Sequence, residues 1–270
     1  MKKSTAIYVV THKEVNMEPL ELDQCYKLIR VGAYGKQKSM VLSDRTGDSI
    51  AEKNPNYCEL TAVYWIWKND AQSDIVGLCH YRRFFTTAAL SDSPQYIPSQ
   101  KKIEELLEQY DVIAPRREYS YRGAYQAYLD CGREKDIQTT ERAIQKICPE
   151  YSETFRTEFK ESPCGYPANM MICRREIFDQ YCAWLFEILT EVEKNTDLEG
   201  YSAQEARIYG YLSERLFGVW LARQHLRIKE MRVINTEQGA PKFRELAKWI
   251  GLEQLVKKIV FQTRKEKRGC

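Results

Sequence analysis

The segment Asp74-Ile75-Val76-Gly77-Leu78-Cys79-His80-Tyr81-Arg82-Arg83-Phe84-Phe85 joins a short apolar run to a basic and aromatic one. The apolar half reads as a buried strand. In open α/β folds the ligand crevice lies at the C-terminal ends of strands, and here that end carries His80, Tyr81, Arg82 and Arg83. A guanidinium presents a planar fork of donors suited to phosphate oxygens, so two in succession suggest an anion site that needs no metal. A surface loop whose arginines pair with carboxylates would look the same at this level.

Working outward, Ala6 to Val10 is expected to form a first strand ending at Thr11, His12 and Lys13, and Lys27 to Val31 a second. Strand-first nucleotide folds meet their ligand at such an end, although an ordinary strand exit has the same signature. Gly32, Gly35, Gly47 and the run Ser43-Asp44-Arg45-Thr46-Gly47-Asp48-Ser49 read as a long loop, the kind of segment that carries function when a rigid sheet holds it. Asn56 and Glu59 resemble a capping box, and Leu60, Val63, Tyr64 and Trp67 recur at helical spacing behind it. Asn54, Tyr57 and Glu59 lie at the start of this helix, where free N–H groups receive a phosphate or an acidic side chain.

Downstream, the polar stretch Thr86 to Gln100 reads as a loop or flap, Lys101 to Gln109 as a helix, and Asp111 to Ala114 as a strand ended by Pro115. Tyr119, Tyr121, Tyr125 and Tyr128 offer apolar rings with polar tips, which suit either packing or the faces of a sugar. Helices are expected over Asp136 to Cys148, Ile177 to Val192 and Ser202 to Val219, with a strand from Asn169 to Cys173. Asn169 suits a sugar hydroxyl or a turn cap. On the last helix, Glu205, Arg207, Glu214 and Arg215 form a polar face, and Glu214 with Arg215 reads as a structural ion pair or a site pair.

The 270 residues, 43% of them apolar, suffice for one large domain. A net charge of +3 gives no general reason to expect nucleic acid, so any anion affinity must be local. The nine cysteines are scattered and never spaced Cys-x-x-Cys, as expected of reduced thiols in the cytoplasm. Met1 to Val10 matches neither a signal peptide nor a membrane span. Residues 236–270 differ in composition. Phe243, Leu246, Trp249, Ile250, Leu255, Val256, Ile259 and Val260 share a helical face, and Lys257, Lys258, Arg264, Lys265, Lys267 and Arg268 make the end basic. That pattern fits a peripheral anchor on a membrane surface or a helix packed on the domain. There is no P-loop, no Gly-x-Gly-x-x-Gly and no Gly-x-Ser-x-Gly, and the histidines His12, His80 and His225 stand apart from metal-like partners. No two aspartates are separated by a single residue, so an Asp-x-Asp metal motif is missing.

Thr11-His12-Lys13, Gly47-Asp48, Lys53-Asn54, Tyr57-Cys58-Glu59-Leu60-Thr61, Tyr64-Trp65, Trp67-Lys68-Asn69 and above all Gly77-Leu78-Cys79-His80-Tyr81-Arg82-Arg83 resemble a bacterial family long labelled a domain of unknown function. Asn169-Met170, Tyr181-Cys182 and Glu214-Arg215-Leu216 continue the resemblance, which spans Ile7 to about Val233. Members are similar to glycosyltransferases of capsule and exopolysaccharide synthesis, some of them galactofuranosyltransferases. The resemblance implies an α/β fold, a single GT-A-like Rossmann-type domain over residues 1–235 with helical C-terminal additions. The donor is then expected to be a UDP-sugar; with Arg82 and Arg83 to neutralise its diphosphate, a divalent metal is optional and has no assigned ligands, and if the basic tail is an anchor the acceptor is a lipid-linked oligosaccharide. Donor contacts are then expected from Thr11, His12, Lys13, Asp44, Asp48, Asn54, His80, Tyr81, Arg82, Arg83, Arg207 and Arg215. Acceptor contacts are expected from Asn169, Tyr121 and Tyr125, and the catalytic base from Glu214, Glu205 or Asp48. A non-catalytic nucleotide- or carbohydrate-binding protein would display the same aromatics and arginines, whereas a metal-dependent phosphate-processing enzyme would need a metal-binding carboxylate cluster that the sequence does not offer.

Overall fold

The computed structural model describes residues 3–32 and 41–237. The basic segment 236–270 lies outside them apart from its first two residues. The strands are β1 (Thr5–Thr11), β2 (Tyr26–Arg30), β3 (Leu42–Ser43), β4 (Ile75–His80), β5 (Arg83–Thr86), β6 (Val112–Pro115), β7 (Glu118–Tyr119), β8 (Cys164–Gly165), β9 (Met171–Arg174) and β10 (Ile228–Asn235). The helices are α1 (Asn54–Tyr57), α2 (Leu60–Asn69), α3 (Gln100–Gln109), α4 (Gly123–Leu129), α5 (Glu134–Ile147), α6 (Ser152–Phe155), α7 (Arg175–Lys194) and α8 (Ile208–Arg223).

Strands β3, β2, β1 and β4 run parallel to their neighbours, as a chain returning through loops or helices requires. On the far side of β4, β9 pairs antiparallel and then bonds antiparallel to β6. Next come β10, parallel to β6, and β5, antiparallel to β10. The pairings close on themselves because β5 returns to β4 through the His80–Arg83 pair. The fold is therefore mixed α/β, with an eight-stranded sheet among the described residues.

Burial on both faces follows from the period of two in each strand. Ala6, Tyr8 and Val10 of β1, with Val76 and Leu78 of β4, belong to one apolar cluster that also takes in α2, α5, α7 and α8. Ile7 and Val9, with Ile75 and Cys79, face a second cluster containing Ile103 and Leu107 of α3. Gly77 leaves room for the side chains of both neighbouring strands, since a Cβ there would stand 2.7 Å from both Ile7 and Ile172. No described helix is long and apolar enough to cross a membrane.

Three local expectations are corrected. The capping box of Asn56 and Glu59 does not form; the helix breaks into α1 and α2 at Cys58, whose φ is +54°. Asn54 holds this break by donating from Nδ2 to the Cys58 carbonyl at 2.7 Å and to Thr61 Oγ1 at 3.1 Å. The helix expected from Ser202 begins instead at Ile208, preceded by a 3-10 turn over Glu205–Arg207. Finally, Thr86, expected to open the polar loop, closes strand β5, which pairs with the unforeseen strand β10.

Candidate functional site

A cleft of about 570 Å³ opens at the C-terminal ends of β1 and β4. Its floor comes from Val10, Thr11, His12, Val31 and His80 to Arg83. One wall is the α1–α2 break, with Asn54, Pro55, Cys58 and Glu59, and the other is a stripe of Arg207, Gly210, Tyr211 and Glu214 along α8 and the turn before it. Steps of three and four residues place that stripe on one helical face. Gly210 lets the walls approach, because a Cβ there would lie 3.1 Å from Cys58 Sγ.

The floor is cationic. The tight turn after His80 aims Tyr81 and Arg82 inward, with the Tyr81 N–H donating to the Val10 carbonyl at 3.0 Å and the Thr236 N–H to the Arg82 carbonyl at 2.9 Å. Tyr81, only 9% exposed, is a platform for its charged neighbours. Lys13 Nζ sits 4.7 Å from its ring centroid and the Arg82 guanidinium 5.6 Å, while His12 packs edge-on at 5.5 Å. Burial, and then the charges of Lys13 and Arg82, hold His12 below the usual imidazole range. Glu237, just past β10, bridges two of these cations, with Oε1 2.8 Å from Lys13 Nζ and Oε2 3.6 Å from Arg82 Nη1. Among the described residues no hydrogen bond or ion pair engages the Arg83 guanidinium.

The helical side carries carboxylates. Glu214 lies deep between α8 and the floor, with about a quarter of its side chain still facing the cleft. Burial raises its carboxyl to about 7 and the charge of Glu59 adds to this, against the opposing pull of Arg215 and Arg83. Arg215 Nη1 contacts Glu214 Oε2 at 3.2 Å. Glu59 accepts a hydrogen bond at 2.7 Å from Asn169 Nδ2. Burial, and then the charges of Arg83 and Arg82 against that of Glu59, push the His80 imidazole below its usual range, and among the described residues its buried Nε2 has no partner. Arg207 Nε donates to Cys58 Sγ at 3.2 Å.

Of the residues singled out in the sequence, Thr11, His12, Asn54, His80, Tyr81, Arg82, Arg83, Arg207 and Glu214 line this one cleft, and Lys13 and Arg215 adjoin it. The others lie elsewhere. Asp48 is exposed and accepts from the Tyr64 hydroxyl at 3.1 Å on the far side of α2. Asp44 is fully buried and held by Thr61 Oγ1 at 2.6 Å. Glu205 is engaged by Arg133 at 2.8 Å and by Ser202, which together pull its carboxyl down to about 2. Asn169 is buried between Glu59, Gly210 and Ser213. Tyr125 donates its hydroxyl to Glu134 at 2.9 Å, and Tyr121 is half exposed outside the cleft. Sequence reasoning placed Glu59 at the helix start as part of a capping box and gave its side chain no role in the site. It also missed Tyr211, although the spacing of Tyr211 from Arg207 and Glu214 was available, and Glu237, for which no local signal exists. Among the described residues no group of three His, Cys, Asp or Glu side chains is placed to hold a metal ion.

The mixed sheet thus carries a cationic crevice at its strand ends with acidic side chains opposite, at the position where open α/β sheets hold their ligands. The chain belongs to the family described as a domain of unknown function, DUF4422, which it matches over residues 6–225. A family so labelled is what the segment around His80 leads one to expect. The chain is also similar to the solved apo structure of the WbbM bifunctional glycosyltransferase, with a TM-score of 0.76 and 29% sequence identity. That similarity covers 87% of this chain and 46% of the other, so the chain spans about half the length of that protein. No curated protein sequence matches the chain.

Proposed function

We propose that this protein is a glycosyltransferase of GT-A type that moves a sugar from a nucleotide donor onto an acceptor hydroxyl. The observation that carries the reading is the combination, in one cleft, of an unengaged Arg83 beside Arg82 with a carboxyl, Glu214, poised near neutrality. The likeness to a bifunctional glycosyltransferase points the same way.

In this scheme the donor diphosphate lies on the floor, against Arg82 and Arg83, with Lys13 and Arg207 assisting. Glu214 removes the proton from the acceptor hydroxyl, whose oxygen then bonds to the anomeric carbon. The bond from that carbon to the diphosphate oxygen breaks, and its electron pair leaves with the diphosphate. Preorganised cations stabilise the charge that builds there without having to reorganise during the reaction. A base whose carboxyl titrates near 7 is ionised in a useful fraction at neutral pH yet basic enough to accept a proton. One base acting on the face opposite the leaving group makes the transfer inverting.

The finer assignments, UDP as the nucleotide and galactofuranose or galactose as the sugar in capsule, exopolysaccharide or O-antigen synthesis, rest on the family resemblance, and a lipid-linked oligosaccharide as acceptor rests on the basic amphipathic tail. The domain would span residues 1–235, with residues 236–270 holding it at the inner face of the cytoplasmic membrane. The test is UDP-sugar binding and hydrolysis, with and without EDTA, on the wild type and on Arg82→Ala with Arg83→Ala. UDP binding that survives EDTA and is lost in the double variant is the expected result. Binding without any turnover or transfer would make the protein a nucleotide-binding module instead.

A further inference from the structure

Glu59 stands where α2 begins and is tied from behind. Asn169 Nδ2 donates to its Oε1 at 2.7 Å and to the Gly210 carbonyl at 3.2 Å, while Ser213 Oγ donates to Asn169 Oδ1 at 2.8 Å. Ser213 is fully buried and Asn169 nearly so. One small network thus joins the two walls of the cleft and aims Glu59 into it. The second oxygen, Oε2, makes no hydrogen bond among the described residues.

A carboxylate accepts hydrogen bonds and donates none, so its partner in the cleft must be a donor group. The cations of the floor come from strand ends, at Lys13, Arg82 and Arg83, whereas Glu59 and Glu214 come from the helical walls. A diphosphate belongs with the floor cations, helped from the wall only by Arg207, and would be repelled by the carboxylates. Adjacent sugar hydroxyls, neutral and rich in donors, match a fixed carboxylate.

Resting on the donor reading above, we propose that Glu59 binds hydroxyls of the transferred sugar and selects that sugar, with Asn169 and Ser213 as its positioning residues. Asn169 then serves the sugar indirectly, through Glu59, rather than touching an acceptor.

The isosteric Glu59→Gln keeps an oxygen for Asn169 and replaces the free Oε2 by a donor. Binding of UDP and of UDP-galactose and UDP-galactofuranose is measured on both proteins, together with UDP-galactose analogues lacking one hydroxyl each. UDP affinity is expected to stay within about threefold, whereas UDP-sugar affinity falls on the order of 10- to 100-fold, as for loss of a charged hydrogen bond. At one deoxy position the wild type should lose affinity and Glu59→Gln should not. Glu59→Asp keeps the charge but withdraws it, and is expected to raise KM for the donor sugar with UDP affinity unchanged. A wild type that binds UDP while Glu59→Gln retains full UDP-sugar affinity, or loses only kcat, overturns the Glu59 assignment alone. A wild type that binds neither UDP nor any UDP-sugar overturns the donor reading and this inference with it.

Discussion

Replacing Glu214 by Gln should destroy transfer and yet stabilise the protein, in a pH-dependent way whose sign can be worked out. In the unfolded chain this carboxyl titrates at its ordinary 4.5, and in the fold burial moves it to about 7. Between those values the unfolded state gives up its proton while the native state keeps it, so stability falls as pH rises. The penalty is absent below 4.5 and complete above 7. At about 1.4 kcal/mol per pH unit, the interval corresponds to roughly 3 kcal/mol. The amide of Glu214→Gln is neutral at every pH and escapes the penalty. Urea unfolding of the two proteins should therefore coincide near pH 4.5 and separate by roughly 3 kcal/mol at about pH 8, on the order of 6 °C in Tm for a chain of this size. Loss of a general base should reduce kcat by about 10²- to 10⁴-fold. A variant less stable than wild type at alkaline pH, or a gap equal at both pH values, would mean that Glu214 is an ordinary ion-pair partner of Arg215 and not a desolvated base.

Arg83→Ala should weaken UDP binding roughly 10- to 100-fold, and, because the Arg83 charge draws Glu214 downward, shift the acidic limb of the pH–rate profile to higher pH; an unmoved limb would dissociate the two groups. Glu237→Gln releases Lys13 and Arg82 from an exposed bridge that contributes little to folding. Its Tm should match wild type while UDP binds about two- to fivefold tighter at low salt; weaker binding would mean that Glu237 orients the cations rather than competing for them. Glu205→Gln should retain activity within about twofold, since Arg133 and Ser202 already occupy this carboxylate; a loss of about 10²-fold or more would transfer the role of base from Glu214 to Glu205.

Strands β1, β4 and β6 and helices α2, α3 and α7 were legible because each carries its own periodicity: alternating or continuous apolar runs for the strands, steps of three and four for the helices. The cationic floor was legible for the same reason, as His80 to Arg83 are contiguous and sit where a strand must end. What the residues could not disclose depends on partners distant in the chain. Strand β10 lacks a strong apolar signature because it gains its place from β5 and β6, well over a hundred residues upstream. Glu59 read locally as a cap, whereas in the fold its partner is Asn169, 110 residues away.

The four acidic or amide candidates of the loops and helices illustrate the division. By type and spacing, Glu214, Glu205 and Asp48 were all candidate bases and Asn169 a candidate sugar ligand. Only the fold separates them, by placing Glu214 in a poorly solvated cleft, pairing Glu205 with Arg133 at the surface, leaving Asp48 behind α2 and burying Asn169 as a brace. Covalent sequence determines which groups exist and which local conformations they favour. Desolvation and long-range charge, which set the proton affinity and accessibility of each group, arise only when distant segments pack against one another.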